Sequence, residues 1–188
     1  MNSDLINKLS IYAENACKSP LNPFGYGIWS HHIKPMVQIG KELASEYHAD
    51  EEIVVIAVLL HDLSAIKDGA KKKEHHVFGA QEAQAYLLNE NYPPEKTELV
   101  MKCILNHRGS VNNPKGTAEE ICVADADAVA HIQEIGSLFY VAYKEMNMSI
   151  DDGIEWIKSK IQRDWNKMSE KGRRKFKKKY DEIIAILG

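Results

Sequence analysis

The stretch Ile53-Val54-Val55-Ile56-Ala57-Val58-Leu59-Leu60-His61-Asp62 decides the reading of this chain. Eight apolar residues run straight into a histidine and an aspartate. A helix that is apolar on every face belongs in a core, so Ile53 to Leu60 reads as a buried central helix. His61 and Asp62, adjacent metal-ligand types at its end, read as the floor of a metal site. Ahead of the run, Asp50 is a capping residue type, and Glu51 and Glu52 suit the positive end of a helix.

Helical periods continue on both sides. Residues 29 to 48 carry His32, Met36, Ile39 and Leu43 at i, i+4, i+7 and i+11, which puts His32 on the inward stripe. Pro35 falls in the first turn, where a missing donor costs least. Residues 3 to 18 form a first amphipathic helix capped by Ser3. A loop rich in proline and glycine over 19–28 leads to the aromatics Phe24, Tyr26 and Trp29. These could stack on a base or anchor the loop on the core.

Beyond the doublet, Ser64 to Lys73 reads as a loop with Asp68-Gly69 and three consecutive lysines. A helix from Glu74 to Asn91 follows, with His75 and His76 in its first turn. Pro93-Pro94 starts the next helix, where Leu99, Cys103 and His107 repeat every four residues. Arg108 to Gly116 is a polar loop. Thr117 with Glu120 has the capping-box pattern, opening a helix that carries Asp125, Asp127 and His131. Further helices run to about Met146, over 150–168 from a Ser149 start, and over 170–187. No strand alternation and no repeat occur. An all-α fold is expected, with residues 1–188 as a single domain.

Composition narrows the function classes. A net charge of −3 with 27% charged and 44% hydrophobic residues suits a soluble protein and argues against a dedicated nucleic-acid binder. The basic run Lys171, Arg173, Arg174, Lys175, Lys177, Lys178, Lys179 reads as a solvated helix face. Cys17, Cys103 and Cys122 show no pairing motif, which suggests reduced thiols and a cytoplasmic location. Cys103 reads as a small core residue. The N-terminal residues lack a secretory pattern. No apolar run approaches the roughly 18 residues of a membrane span.

The polar groups at helix ends carry the chemistry. Imidazole and carboxylate together suit borderline divalent metals, and ligands drawn from several helices of a bundle can build such a site. The pattern resembles the HD-domain superfamily of metal-dependent phosphohydrolases. Its first histidine matches His32-x-x-Pro35-Met36-x-x-Ile39-Gly40-x-x-Leu43-Ala44. Its His-Asp doublet matches Leu59-Leu60-His61-Asp62-Leu63, and its last aspartate matches Ala126-Asp127-Ala128-Val129. The resemblance covers residues 29 to about 135. Glu74-His75-x-x-x-Gly79-Ala80 and Asn106-His107-Arg108-Gly109 are similar to the extra histidines of the two-metal branches. Residues 108–116 lack the Gly-Tyr-Pro motif of the cyclic-di-nucleotide branch. Trp165-x-Lys167-Met168-x-x-x-Gly172-Arg173 resembles the tail of small HD hydrolases.

The resemblance implies an HD-type helical bundle holding one or two divalent ions, drawn from Mn, Fe, Co, Ni, Zn or Mg. The implied ligands are His32, His61, Asp62, His75, His107 and Asp127, with Asp62 a potential bridge. Hydrolysis of a phosphomonoester, phosphodiester or phosphoanhydride by metal-activated water would follow. A small phosphorylated, nucleotide-like substrate is the implied partner, and a homodimer stays open. Arg108 and Lys67 are candidate phosphate clamps. Two choices remain open at this level. Helical periodicity favours Asp125 as the last ligand where the family pattern favours Asp127, and His76 rivals His75. His131, one turn after Asp127, and His31 and His48 read as structural or surface residues. A di-iron oxygenase and a non-catalytic, metal-stapled module are the competing functional readings.

Overall fold

The computed structural model describes residues 2–109 and 114–188, and no strand occurs among them. In order, the helices are α1 (Ser3–Cys17), α2 (Lys34–Tyr47), α3 (Glu51–Leu60), α4 (Leu63–Lys67), α5 (His75–Asn89), α6 (Pro94–Asn106), α7 (Ala118–Gln133), α8 (Ile135–Tyr140), α9 (Ile150–Lys167) and α10 (Glu170–Leu187). None of them is long and apolar enough to cross a membrane.

Every residue from Ile53 to Leu60 is buried, as an all-apolar helix requires. α3 is enclosed by α1, α2, α6 and α7. Full burial of each of these side chains other than Ala57 stabilises the fold by roughly 1.5–3 kcal/mol. The Asp50 carboxylate accepts from the backbone N–H groups of Glu52 (2.9 Å) and Ile53 (3.4 Å). The helix thus starts at its cap and delivers His61-Asp62 to the middle of the molecule.

Several expected boundaries shift, each for a local reason. Asn2, not Ser3, caps α1, its Oδ1 accepting from Leu5 N–H at 3.1 Å. The helix expected over 29–48 is a π-turn, Trp29–Ile33, followed by α2. Pro35 cannot donate, and its ring would crowd the carbonyl of His31 in a continuous α-helix. The wider turn, closed by Lys34 N–H on the Trp29 carbonyl, relieves that conflict and carries His32. The loop expected over 64–73 contains α4 and a 3₁₀ segment, Gly69–Glu74. The helix expected to reach Met146 is α8 plus a π-turn, Val141–Glu145. Of the polar loop over 108–116, residues 110–113 lie outside the described residues. Thr117 caps α7 by accepting from Glu120 N–H at 3.3 Å. The Glu120 carboxylate accepts from the Asn106 amide instead, at 2.6 Å, tying α7 to the end of α6. All three cysteines are buried free thiols.

The start of α10 is tied to the core through Asp125. Its carboxylate accepts from Tyr47 Oη at 2.8 Å, Ser169 N–H at 2.8 Å and Ser169 Oγ at 2.5 Å. Gly172 packs directly on this carboxylate. A Cβ there would collide with Asp125 Oδ2 and lie 3.0 Å from Met168 Cε. Gly172→Ala is therefore expected to cost about 1–3 kcal/mol through overpacking. Thermal denaturation should show Tm lowered by roughly 2–4 °C per kcal/mol. An unchanged melt would mean that α10 does not dock through this contact.

Candidate metal centre

Three histidines reach the centre by one local device. His61 follows α3, His107 follows α6, and His75 follows the 3₁₀ segment. Each Nδ1 faces the carbonyl three residues back: Val58 at 2.8 Å, Ile104 at 2.6 Å and Lys72 at 2.9 Å. A carbonyl only accepts, so each Nδ1 carries the proton and donates it. That bond satisfies an otherwise orphaned helix-end carbonyl and aims Nε2 at the centre. Asp62 sits at φ −105°, ψ −2°, where the chain turns from α3 into α4. Its side chain caps nothing and turns inward.

The six residues converge in two groups around Asp62. Asp62 Oδ2 lies 3.2 Å from His61 Nε2 and 3.8 Å from His32 Nε2. His32 Nε2 lies 3.2 Å from His61 Nε2 and 3.3 Å from Asp127 Oδ1. The other oxygen, Asp62 Oδ1, lies 3.4 Å from His75 Nε2 and 4.0 Å from His107 Nε2, which are 3.1 Å from each other. Ligand atoms of His32, His61 and Asp127 fall within 4.8 Å of one another, as do those of His61, Asp62 and His107.

This donor set fits divalent cations. His75 and His107 both donate through Nδ1, so their Nε2 lone pairs face each other at 3.1 Å beside a carboxylate. Neither can donate to the other while neutral. A cation held by the two histidines and Asp62 would resolve the conflict. His32 Nδ1 is buried without a hydrogen-bond partner among the described residues. Burial, then the neighbouring His131, pushes His32 down to about 4. Burial and the charge on His61 push His107 well below the ordinary histidine range. Both are neutral and ready to ligate at neutral pH. Burial works against charge on His61 too, yet Asp62 and Asp127 outweigh it and lift His61 to about 9. Burial also disfavours the Asp62 carboxylate, but His61 and His75 hold its pKa well below the usual range. The field that keeps a proton on His61 is the field a divalent ion would neutralise.

A cavity of about 1020 Å³ opens onto this centre, with His32, Asp62, His75 and Asp127 in its wall. Lys72, Arg108, Lys160 and Arg163 bring positive charge to the wall, and Phe24, Tyr140 and Trp156 bring aromatic surface. Of the aromatics singled out from sequence, Phe24 lines the cavity, with the Lys72 ammonium 4.6 Å above its ring. Trp29 is buried, and Tyr26 donates to Glu14 at 3.0 Å.

The two members of each open pair are placed differently. Asp127 faces the cluster, whereas Asp125, two residues away on α7, points to α10. His75 reaches Asp62, while His76 is buried with Nδ1 unpartnered among the described residues. Arg108 lines the cavity, its guanidinium donating to the Lys73 carbonyl. Lys67 does not reach the centre. The short helix α4 rotates it outward, where its ammonium donates to Glu82 (2.8 Å) and Tyr12 (3.2 Å). His31 lines the cavity beside Ser30, and His48 ends α2 in the left-handed region at φ 57°.

Sequence reasoning noted Lys167 only within a tail motif and gave no role to the groups behind Asp127. Lys167 donates to Asp127 Oδ2. Asp164 accepts from Lys160 at 2.9 and 2.7 Å and lies 3.1 Å from His131 Nδ1. His131 stacks on His32 with ring centroids 4.4 Å apart. One signal was available: the stripe Ile154, Ile157, Ile161 continues to Asp164, with lysines four residues before and three after. A carboxylate on an inward stripe needs cations, and these positions supply them.

Comparison with known proteins gives the family and the fold. Ribonuclease Y of Mycoplasma capricolum subsp. capricolum is 29% identical over 103 residues, which is 55% of this chain but 18% of that protein. Two solved structures share the fold across nearly the whole chain. A predicted HD superfamily hydrolase from an uncultured Thermotogales bacterium has TM-score 0.64 and 20% identity, covering 96% of this chain and 88% of the other. Bacillus subtilis YpgQ in complex with ADP has TM-score 0.70 and 16% identity, covering 97% and 93%. The family model described as HD domain matches residues 29–132, more than half of the chain and the whole span from His32 to Asp127. This chain belongs to the HD domain family.

Proposed function

We propose that the chain is a metal-dependent phosphohydrolase that cleaves a phosphoester or phosphoanhydride of a nucleotide-like molecule. The observation that carries this reading is the division of Asp62, one oxygen toward His61 and His32, the other toward His75 and His107. A carboxylate so divided suits a bridge between two ions. His32, His61, Asp62 and Asp127 would hold one ion, and Asp62, His75 and His107 the other. Such ions supply Lewis acidity and a water acidic enough to attack near neutral pH.

The protein's own residues do the rest. Arg108 and Lys72 present donors in the cavity wall for phosphoryl oxygens. The aliphatic and aromatic wall around Phe24, Leu138 and Trp156 suits the uncharged part of a nucleotide. YpgQ, with the same fold, was crystallised with ADP, which supports a nucleotide-like class. Phosphate or pyrophosphate release from nucleotides, assayed with Mn, Co, Ni, Zn and Mg, tests the reading. Iron near two per chain with oxygen consumption and no phosphate release would favour an oxygenase instead.

Proton linkage gives a second test. His61 holds a proton up to about 9, and an entering ion must displace it. Apparent ion affinity should therefore rise about tenfold per pH unit below that value and then level off. Calorimetric titrations in buffers of different ionisation heat should register close to one released proton per chain near neutral pH. A pH-independent affinity would remove His61 from the ligand set.

A further inference from the structure

We propose that Lys167 is a positioning residue of the metal centre, a fixed cation that confines Asp127 to one ligand oxygen and loosens the grip on the ion. The inference rests on the two-ion reading above and extends it to a helix outside residues 29–132, the span of the family match.

The two oxygens of Asp127 have different surroundings. Oδ1 faces His32 Nε2 at 3.3 Å and His61 Nε2 at 3.9 Å. Oδ2 is taken by the Lys167 ammonium. With its side chain only 5% exposed, Lys167 cannot swing to solvent. A second carboxylate fixes it from behind, Asp164 Oδ1 at 3.4 Å. Asp164 is fixed in turn by Lys160 and His131. The stem of Lys167 runs over Gly109, where a Cβ would lie 3.0 Å from Lys167 Cδ and 3.3 Å from the Arg163 carbonyl. The glycine after Arg108 thus makes room for this lysine.

The chemistry follows from charge and geometry. Asp127, His131 and Asp164 bring ligand atoms within 4.8 Å of one another, a grouping that could itself hold an ion. The ammonium groups of Lys160 and Lys167 already neutralise it. With Oδ2 engaged, Asp127 can offer an ion Oδ1 alone, which leaves a coordination position for water. The nearby positive charge also repels the ion. Without Lys167, Asp127 would chelate through both oxygens, and the ion would be held more tightly and be less able to activate water.

Mn(II) titration of the full chain by calorimetry and electron paramagnetic resonance tests this, beside steady-state kinetics. Lys167→Met and Lys167→Gln are expected to bind Mn(II) at least tenfold more tightly than wild type and to alter its resonance line shape. Turnover should fall at least tenfold with KM changed by less than twofold. Gly109→Ala, which displaces the stem but keeps the charge, should shift affinity the same way by a smaller factor, and it decides the question if the lysine variants do not fold. Affinities within twofold of wild type, or weaker, would overturn the proposal. So would a Lys167→Gln chain that matches wild type, since a neutral donor would then suffice. A wild-type chain that binds no Mn(II) or other divalent ion would overturn the two-ion reading and this inference together, whereas normal wild-type binding with unmoved variants overturns this inference alone.

Discussion

Asp62→Asn is expected to strip the centre of bound ions and lower turnover on the order of 10³-fold or more, the largest loss of any single substitution here. The change keeps shape and nearly keeps volume, so the fold has little reason to fail. What disappears is a charge that serves both halves of the cluster. Asp62 Oδ2 stands 3.2 Å from His61 Nε2 while Oδ1 stands 3.4 Å from His75 Nε2. Among the described residues no other carboxylate touches both groups: Asp127 faces His32 and His61 and is tied to Lys167 on its other side. An amide would offer one weak oxygen to one half and N–H donors to the other, which repel a cation. Metal analysis after gel filtration, with a circular dichroism spectrum as control, checks this. A folded Asp62→Asn chain that keeps its metal would end the bridging role.

Much of this arrangement is readable from residue order, because the local chemistry is short-range. The apolar run Ile53 to Leu60 demands burial, and the doublet behind it is carried inward with it. His32 lies on a clean helical stripe. Asp127 was not readable from periodicity, and the reason is physical. α7 is buried almost all round, through Cys122, Val123, Ala124, Ala126, Ala128, Val129 and Ala130. On such a helix nearly every position faces protein, so the stripe that favours Asp125 carries little weight against Asp127. Only the family pattern around Ala126-Asp127-Ala128 chose between them.

The misplacement of Lys67 has a comparable cause. Asp68-Gly69 and the lysine run look like loop, so a basic residue five positions past Asp62 seemed free to reach a phosphate. In fact Leu63 and Ile66 are buried and wind Leu63–Lys67 into a helix turn, which fixes Lys67 against Glu82. The network of Lys160, Asp164 and Lys167 was hidden because a buried charge is legible only through its partner, and the partner Asp127 lies on another helix. Long-range pairing of that kind leaves no mark on hydrophobic spacing.

The division of Asp62 also makes the two halves of the centre separable. His107→Ala is expected to remove one ion and leave the other. Within the second group His107 lies 4.0 Å from Asp62 Oδ1 and 3.1 Å from His75, and it meets the first group through the edge of the His61 ring, with centroids 5.0 Å apart. The first group, His32, His61, Asp127 and Asp62 Oδ2, keeps every ligand. The imidazole also satisfies the Ile104 carbonyl at 2.6 Å and is nearly fully buried, so its loss should cost about 1–3 kcal/mol of stability. That penalty leaves most of a typical domain's stability in place. Ion content should fall from two per chain to one, and turnover by about 10²- to 10³-fold, since one ion then has to serve both water and leaving group. His75→Ala should reproduce the ion count, because Nε2 of His75 and of His107 address the same oxygen. If His107→Ala instead lost both ions, the halves would be one cooperative site. If it kept both, the histidines after α6 and the 3₁₀ segment would be contacts for phosphate, and the centre would run on a single ion.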